Sequence, residues 1–164
     1  LIDQTSQKDN KEPDQTETIA LITIEVHARD ITDILSKTCF SLNSFEWKKQ
    51  PDLELHSKEI LVITVEQTNT AFPYGYEYQG NNGRLVVTAL TDRCYMTLTT
   101  AMDLKKGGAP QGPAGTGKTE TVKDLGKGMA KFVLVFNCSE GLDYKSLGRM
   151  FSGLMQTGGW GCFD

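Results

Sequence analysis

The sequence predicts an α/β fold: a parallel sheet with flanking helices, preceded by a mixed segment that contains a β-hairpin. Three observations lead to this prediction. A glycine-rich loop in the second half is followed by alternating helical and strand patterns, and thirteen of the 16 glycines lie in residues 107–164. The first half instead contains a β-branched run and a Gly/Asn turn between two apolar stretches. The full length of 164 residues is about that of one domain.

Composition excludes several classes of function. The net charge is −4 and no long basic stretch occurs, so we expect no nucleic-acid partner. The longest apolar runs, such as Ile60–Ile63 and Phe132–Phe136, are far shorter than the ~20 residues that cross a bilayer. Residues 1–10 lack the charged-then-apolar order of a signal peptide. We therefore expect a soluble, intracellular chain without a membrane partner.

The cysteines and histidines show no metal-binding or catalytic spacing. The four cysteines are separated by dozens of residues, and neither of the two histidines lies near a cysteine pair. Zinc sites need closely spaced pairs of such ligands. We therefore expect buried, reduced thiols.

The first half begins with polar sequence and continues with two apolar stretches. Residues 1–18 contain five acidic and two basic residues, which predicts a solvated tail or a mobile loop. Apolar residues from Ile19 to Leu35 predict a strand or buried segment that runs into a short helix. Residues Glu59–Thr68 have a β-branched centre and predict a strand.

A hairpin and a helix are predicted between residues 74 and 104. Tyr74–Tyr78 and Arg84–Thr88 flank the turn sequence Gly80–Gly83, which favours a hairpin. The three tyrosines indicate packing on a half-buried strand, with an interaction surface as the alternative. Thr91–Leu104 has apolar residues at helical spacing and predicts an amphipathic helix with its N-cap at Thr91 or Asp92.

The clearest motif is a phosphate-binding loop. Gly112–Thr119 matches G-x-x-x-x-G-K-[ST] at every fixed position. Its glycines let successive N–H groups turn inward around an anion, and a following helix adds its positive end. Lys118 can reach the β- and γ-phosphates, and the Thr119 hydroxyl can ligate Mg²⁺. The alternative is a glycine-rich turn that matches by accident.

The elements after this loop follow α/β order. Val122, Leu125 and Met129 share one face of a predicted helix, with Asp124 off that face. Lys131–Phe136 is a continuous apolar run, as expected for a strand covered on both faces. Tyr144–Gln156 returns to helical spacing, with Asp143 as N-cap and Gly158 as terminator.

The sequence ends on an apolar stretch followed by an acid. An aspartate at the tip of a strand, such as Asp164 after Trp160–Phe163, is suited to hold Mg²⁺ through its water shell. An ordinary strand-end acid is the alternative. The stretch before the loop, Gly107–Gln111, is a poor strand candidate.

These motifs together resemble the dynein heavy-chain family. The resemblance is close over residues 74–164 and looser at Ile22–Asp30 and Phe45–Trp47. The closest stretches are Tyr74–Tyr78, Gly80–Leu85, Leu90–Tyr95, Gly112–Glu120, Val135–Ser139 and Gly159–Asp164. The region is similar to the join between the linker and the first ATPase module of the motor ring. Glu120–Leu125 and Ser139–Lys145 resemble axonemal more than cytoplasmic dyneins.

The resemblance implies a partial AAA+ P-loop NTPase module after a linker-end segment. Residues 1–18 would be the tail, 19–73 the end of the linker, 74–106 the hairpin and helix, and 107–164 the first half of the AAA+ large subdomain. ATP or ADP and Mg²⁺ would be the ligands. Lys118 would stabilise phosphate charge, and Thr119 and Asp164 would serve the metal. The implied nucleotide-contacting residues are Gly112, Pro113, Ala114, Gly115, Thr116, Gly117, Lys118, Thr119, Glu120, Val87, Leu90 and Thr91.

The family also implies the activity and partners of a longer protein. ATP hydrolysis would drive ring rearrangement, a linker swing and movement along microtubules in a cilium or flagellum, with the cytoplasm as the alternative location. Partners would be the rest of the heavy-chain ring and linker, microtubules, and dynein intermediate and light chains. Alternatives are a nucleotide held without turnover, as a structural or regulatory ligand, and a scaffold whose loop binds nothing.

The sequence departs from the family pattern at three places. Ala89 stands where the family usually has proline, which bears on the stiffness of the adenine-side loop. Lys48–Asp52 replaces an aromatic-rich segment. In the family, the residue after the Asp164 position is the glutamate that polarises water, and the sensor residues and arginine finger lie elsewhere. We therefore expect residues 1–164 alone to be inactive, with a gap in the sheet and exposed edges that favour aggregation.

Overall fold

A computed structural model describes residues 12–55, 63–81, 83, 85–139 and 141–164. Residues 1–11 of the predicted tail, Glu59–Val62 of the predicted strand, and Asn82 and Arg84 of the predicted hairpin lie outside these ranges. The helices are α1 (Glu12–Thr38), α2 (Phe45–Lys48), α3 (Ala89–Asp103), α4 (Lys118–Gly128) and α5 (Tyr144–Thr157). The strands are β1 (Asp52–Leu55), β2 (Ile63–Gln67), β3 (Thr70–Pro73), β4 (Val133–Phe136) and β5 (Trp160–Phe163).

The N-terminal region is one long helix. The predicted strand-then-helix at 19–35 is wrong, and residues 12–18 of the predicted tail form the first turns of α1. The β-branched threonines of this stretch are accommodated in the helix, because Thr23 and Thr32 donate to the carbonyls of Ile19 and Ala28, four residues earlier. Ile19, Leu21 and Ile24 remain at least half exposed.

An antiparallel sheet follows, with the strand order β1-β2-β3. The pair Gln67 and Thr70 closes a two-residue hairpin turn at Thr68 and Asn69, and Thr68 has a φ of 58°. The β-hairpin therefore lies one element earlier than predicted. The strand prediction for Glu59–Thr68 is confirmed for its described part by β2.

Residues 74–88 are not the predicted hairpin, since their described residues form no strand. The backbone of this segment bonds instead to the end of α4, where the N–H groups of Gly75 and Glu77 donate to the carbonyls of Met129 and Ala130 at 2.9 and 3.1 Å. Tyr74 packs against the core, but Tyr78 is 97% exposed, so the packing interpretation fails for that tyrosine.

The second sheet is a parallel pair. β4 pairs with β5 in register from Val133 opposite Trp160 to Phe136 opposite Phe163. Helix α5 connects them, with Asp143 accepting from the Ser146 N–H as N-cap and Gly158 at the C-cap, as predicted. The two strands are only partly covered, because Val135 of β4 and Phe163 of β5 are exposed. The prediction of a strand covered on both faces is therefore wrong.

The core lies between α3, α4 and the strands that these two helices contact. Its buried apolar residues are Val65, Tyr95, Leu98, Leu125 and Met129. Leu125 and Met129 come from the predicted apolar face of α4. The four cysteines are free, but they are half-buried or exposed, so the expectation of buried thiols is wrong. Within the described part of the chain, no helix is long and apolar enough to cross a membrane.

Candidate nucleotide-binding site

The phosphate loop runs into α4 through a left-handed turn. Gly115 and Gly117 have φ values of 75° and 81°, which favour glycine, and Gly117 is the N-cap of α4. Thr116 stiffens the loop by donating its hydroxyl to the carbonyl of Pro113 at 2.9 Å. The predicted helix behind the loop is thus present, and the positive end of its macrodipole lies at the loop.

Lys118, the first residue of α4, folds its side chain back over the loop. Its Nζ donates to the carbonyls of Pro113 at 2.8 Å and Gly112 at 3.2 Å. These contacts place the ammonium against the loop backbone itself. An ammonium that contacts neutral carbonyls can exchange them for the charged oxygens of a phosphate.

Thr119 and Asp164 meet although they are 45 positions apart in sequence. The Thr119 hydroxyl donates to Asp164 Oδ2 at 2.7 Å. The parallel strands position the carboxylate, because the Asp164 N–H donates to the Phe136 carbonyl and the Cys138 N–H donates to the Asp164 carbonyl. A hydroxyl and a carboxylate are the oxygen donors that Mg²⁺ prefers.

This donor set suits a metal that keeps most of its water. Within the described residues, no group of three or more His, Cys, Asp or Glu side chains gathers as a metal cage. Mg²⁺ is usually held by one or two protein oxygens together with phosphates and waters. The pair of Thr119 and Asp164 therefore fits Mg²⁺ better than zinc or calcium.

Cys162 lies beside this site in β5 and is half-buried. Burial, and then the neighbouring Asp164 charge, raise the pKa of its thiol above the ordinary range. A raised pKa disfavours the thiolate, which is the form of cysteine that binds metals and acts as a nucleophile.

Glu120, the last of the predicted nucleotide-contacting residues near the loop, lies in the first turn of α4 and is exposed. Its carboxylate forms an ion pair with Lys123 at 2.7 Å, one turn along the same helix. An acid in the first turn of a helix also interacts favourably with the macrodipole. Glu120 therefore follows the loop directly. Within the described part of the chain, its side chain pairs with Lys123 of the same helix.

The predicted adenine-side residues lie at the start of α3. Thr88 is the N-cap and forms a capping box with Thr91, so the predicted cap at Thr91 or Asp92 is wrong by three or four residues. Leu90, in the first turn, is 76% exposed. Val87 borders a cavity of about 480 Å³ whose lining includes α1, α3 and α4 residues but none of the loop residues 112–119.

The sequence reasoning missed one functional candidate, Asp124. It was placed off the apolar face of α4, yet the structure leaves it only 8% exposed. Its carboxylate accepts hydrogen bonds from the Tyr95 hydroxyl and the Leu85 backbone N–H. The available signal was indirect: a buried tyrosine on α3 needs a partner for its hydroxyl.

Known proteins match this chain over the region that contains the loop. The family described as "Hydrolytic ATP binding site of dynein motor region" matches residues 74–164, more than half of the chain. Human "Dynein axonemal heavy chain 2" is 62% identical over 148 residues, which cover 89% of this chain and 3% of that protein.

Two further relatives show the same relation. The "Dynein-1-beta heavy chain, flagellar inner arm I1 complex" of Chlamydomonas reinhardtii is 60% identical over 153 residues, 92% of this chain and 3% of its own. Human "Dynein axonemal heavy chain 1" is 53% identical over 146 residues, 88% of this chain and 3% of its own. The chain thus spans about 3% of the length of these relatives. With its phosphate loop, parallel strand pair and flanking helices, it belongs to the dynein heavy-chain family and carries part of an ATP-binding AAA+ module.

Proposed function

We propose that this chain binds Mg-ATP at the first AAA+ site of a dynein motor ring, and that the parent heavy chain hydrolyses it. The observation that carries the proposal is the contact of Thr119 with Asp164 beside a phosphate loop that ends in Lys118. An accidental glycine-rich turn would not bring a strand-end carboxylate to the hydroxyl of the loop.

The loop residues act on the triphosphate. Backbone N–H groups of the loop from Gly112 to Thr119, other than that of Pro113, would surround the phosphates. Lys118 would exchange its contacts with the Gly112 and Pro113 carbonyls for phosphate oxygens. Bound Mg²⁺ would neutralise charge on the phosphates. Thr119 would ligate that ion and Asp164 would hold it through water.

In the parent protein, we infer that turnover at this site drives a linker swing and movement along microtubules. The names of the relatives, axonemal heavy chains and a flagellar inner-arm chain, support a location in the cytoskeleton of a cilium or flagellum. The partners would be the remaining ring and linker, microtubules, and intermediate and light chains. Residues 19–73 would then be the linker end, and residues 107–164 would be the first half of the AAA+ large subdomain.

A second candidate function is nucleotide binding without turnover. Hydrolysis needs a group that polarises the attacking water. The residue that follows Asp164 in the parent coding sequence discriminates the two: glutamate supports hydrolysis, and a non-acidic residue supports retention.

The proposal is tested by Lys118→Ala in the parent heavy chain. We expect the microtubule-stimulated ATPase rate to fall about 10²–10³-fold, because a charge-stabilising donor is lost. Lys145→Ala is the matched control, since Lys145 is an exposed lysine of α5, remote in sequence from the loop. Unchanged microtubule gliding and ATPase activity in Lys118→Ala would overturn the proposal.

A further inference from the structure

Asp124 is a buried carboxylate in the C-terminal half of α4. Its two oxygens accept hydrogen bonds from two different parts of the chain. Oδ2 accepts the hydroxyl of Tyr95, on α3, at 2.8 Å, and Tyr95 is itself only 6% exposed. Oδ1 accepts the backbone N–H of Leu85 at 3.3 Å. A buried carboxylate persists only when its oxygens are satisfied in this way.

The two donors flank the segment expected to contact adenine. Leu85 lies two residues before Val87, and Tyr95 lies one helical turn after Thr91. One side chain of α4 therefore holds both ends of residues 87–91. A second tie comes from one turn further along the helix, where Lys127 Nζ donates to the Gly83 carbonyl at 3.3 Å.

The same helix begins at the phosphate loop. Asp124 follows Lys118 by six residues, which is about 9 Å along a helix axis. A helix of this length is stiff, because each turn is held by backbone hydrogen bonds. The distance between the phosphate-binding residues and the anchor of residues 87–91 is consequently set by α4.

We propose that Asp124 is a positioning residue that fixes the adenine-side segment relative to the phosphate loop, through Tyr95 and the Leu85 N–H. It governs the affinity for the base and ribose half of the nucleotide and leaves the triphosphate half unaffected. This inference rests on the proposed function, since it takes ATP as the ligand of the loop.

The test variant is Tyr95→Phe in the parent heavy chain. Phenylalanine keeps the ring in the core and removes only the hydroxyl that Asp124 accepts. We expect the Kd of Mg-ATP to rise about 5- to 30-fold, in line with the loss of a hydrogen bond to a buried charge. The KM for ATP rises with it, and kcat stays within about twofold because the phosphate contacts are unchanged.

Inorganic tripolyphosphate separates positioning from a purely structural role. It carries the phosphate chain without base or ribose, so we expect its Kd with Mg²⁺ to be equal in wild type and Tyr95→Phe. Asp124→Asn keeps the size of the side chain and one acceptor oxygen, and should restore most of the ATP affinity relative to Asp124→Ala. Tyr144→Phe is the matched control at an exposed tyrosine, 79% exposed, and should change neither Kd.

The outcomes are distinct. Equal weakening of Mg-ATP and tripolyphosphate in Tyr95→Phe, or no weakening of either, overturns the inference and leaves the proposed function intact. If the Lys118→Ala heavy chain binds ATP as tightly as the wild type, the proposed function is overturned, and the inference fails with it.

Discussion

The two ends of helix α4 are built in opposite ways. At the front, Lys118 and Thr119 are half-buried, loop residues 112–116 are exposed, and the left-handed Gly115 and Gly117 open the backbone toward solvent. At the rear, Asp124, Leu125, Met129 and Ala130 are buried, and the carbonyls of Met129 and Ala130 are bonded to residues 75 and 77.

This difference separates ligand chemistry from stability within one helix of 11 residues. Polar groups at the front make contacts that a ligand can replace, such as those of Lys118 with two loop carbonyls. Polar groups at the rear are already satisfied by the protein. Substitutions at the front should therefore change nucleotide binding at constant stability. Substitutions that disturb the backbone contact of Gly75 at the rear should instead change stability.

After that of Lys118→Ala, the largest effect should follow from Asp164→Asn, at the front of α4. The isosteric amide can still accept from Thr119 but lacks the negative charge that, in the proposed site, would hold Mg²⁺ through water. We expect the Mg²⁺ affinity of the nucleotide complex to fall about 10–100-fold, as for outer ligands of other metal sites. Magnesium titration of ATP binding by the parent heavy chain measures this. Faster hydrogen exchange of α4 in the same variant would contradict the separation of the two ends.

At the rear, Gly75→Ala should destabilise the contact with α4. An added methyl group would lie 2.1 Å from the Ala130 carbonyl oxygen, and Ala130 already has a strained φ of 49°. Relieving this overlap should cost about 1–3 kcal/mol. Hydrogen exchange of peptides covering residues 118–131 in the parent chain reports it as faster exchange.

Gly148→Ala is the control for that variant. Gly148 lies inside α5, and a methyl group there meets nothing within 4 Å. It should stabilise α5 by about 0.4–1 kcal/mol, because alanine loses less entropy on folding. Equal changes in stability for the Gly75→Ala and Gly148→Ala variants would show that the contact of Gly75 with the end of α4 does not contribute to stability.

Ala89→Pro tests residues 87–91, the segment that Asp124 of α4 anchors. Ala89 is the first residue of α3, where proline is favoured, and Thr88 before it is extended at φ −125° and ψ 169°. We expect stabilisation by about 0.4–1 kcal/mol. Slower hydrogen exchange of the α3 amides is the expected result. The contrasting variant is Ala101→Pro, inside α3, which should lower the free energy of unfolding by about 3 kcal/mol.

The smallest effect should come from Asp143, which belongs to neither end of α4. A hydrogen bond from Ser146 lowers the pKa of its carboxyl below the ordinary 3.8, because the ionised form is the better cap. A lowered folded pKa means that this stabilisation is present above about pH 4 and is lost as the pH falls through the folded pKa.

A peptide of residues 141–159 with blocked ends measures this effect, since Asp143 is its only carboxyl group. Its helicity by circular dichroism, in dilute trifluoroethanol, should fall as the pH drops from 5 to 2. The Asp143→Asn peptide should show no such change, because a neutral asparagine caps at every pH. A pH-independent wild-type peptide would refute the role of the cap.

Local sequence patterns predicted the second half of the chain well. The helix behind the loop, the apolar strand, the Asp143 cap and the Gly158 terminator each depend on residues within one or two turns. The first half was harder, because β-branched residues such as Ile24 and Thr32 fit a strand or a helix equally on local grounds. Tyr74–Tyr78 does not form a strand, because its backbone N–H groups bond to the two residues that follow α4, more than 50 positions later.

By itself, the sequence determined the phosphate loop, its lysine and threonine, and the α/β order around them, since glycine freedom and helical spacing are local properties. Only the tertiary structure decided that Thr119 meets Asp164, that Asp124 is buried against Tyr95, and that Gly75 seals the rear of α4. These are contacts across 29 to 54 positions. They form because parallel strand pairing and core burial bring distant residues together.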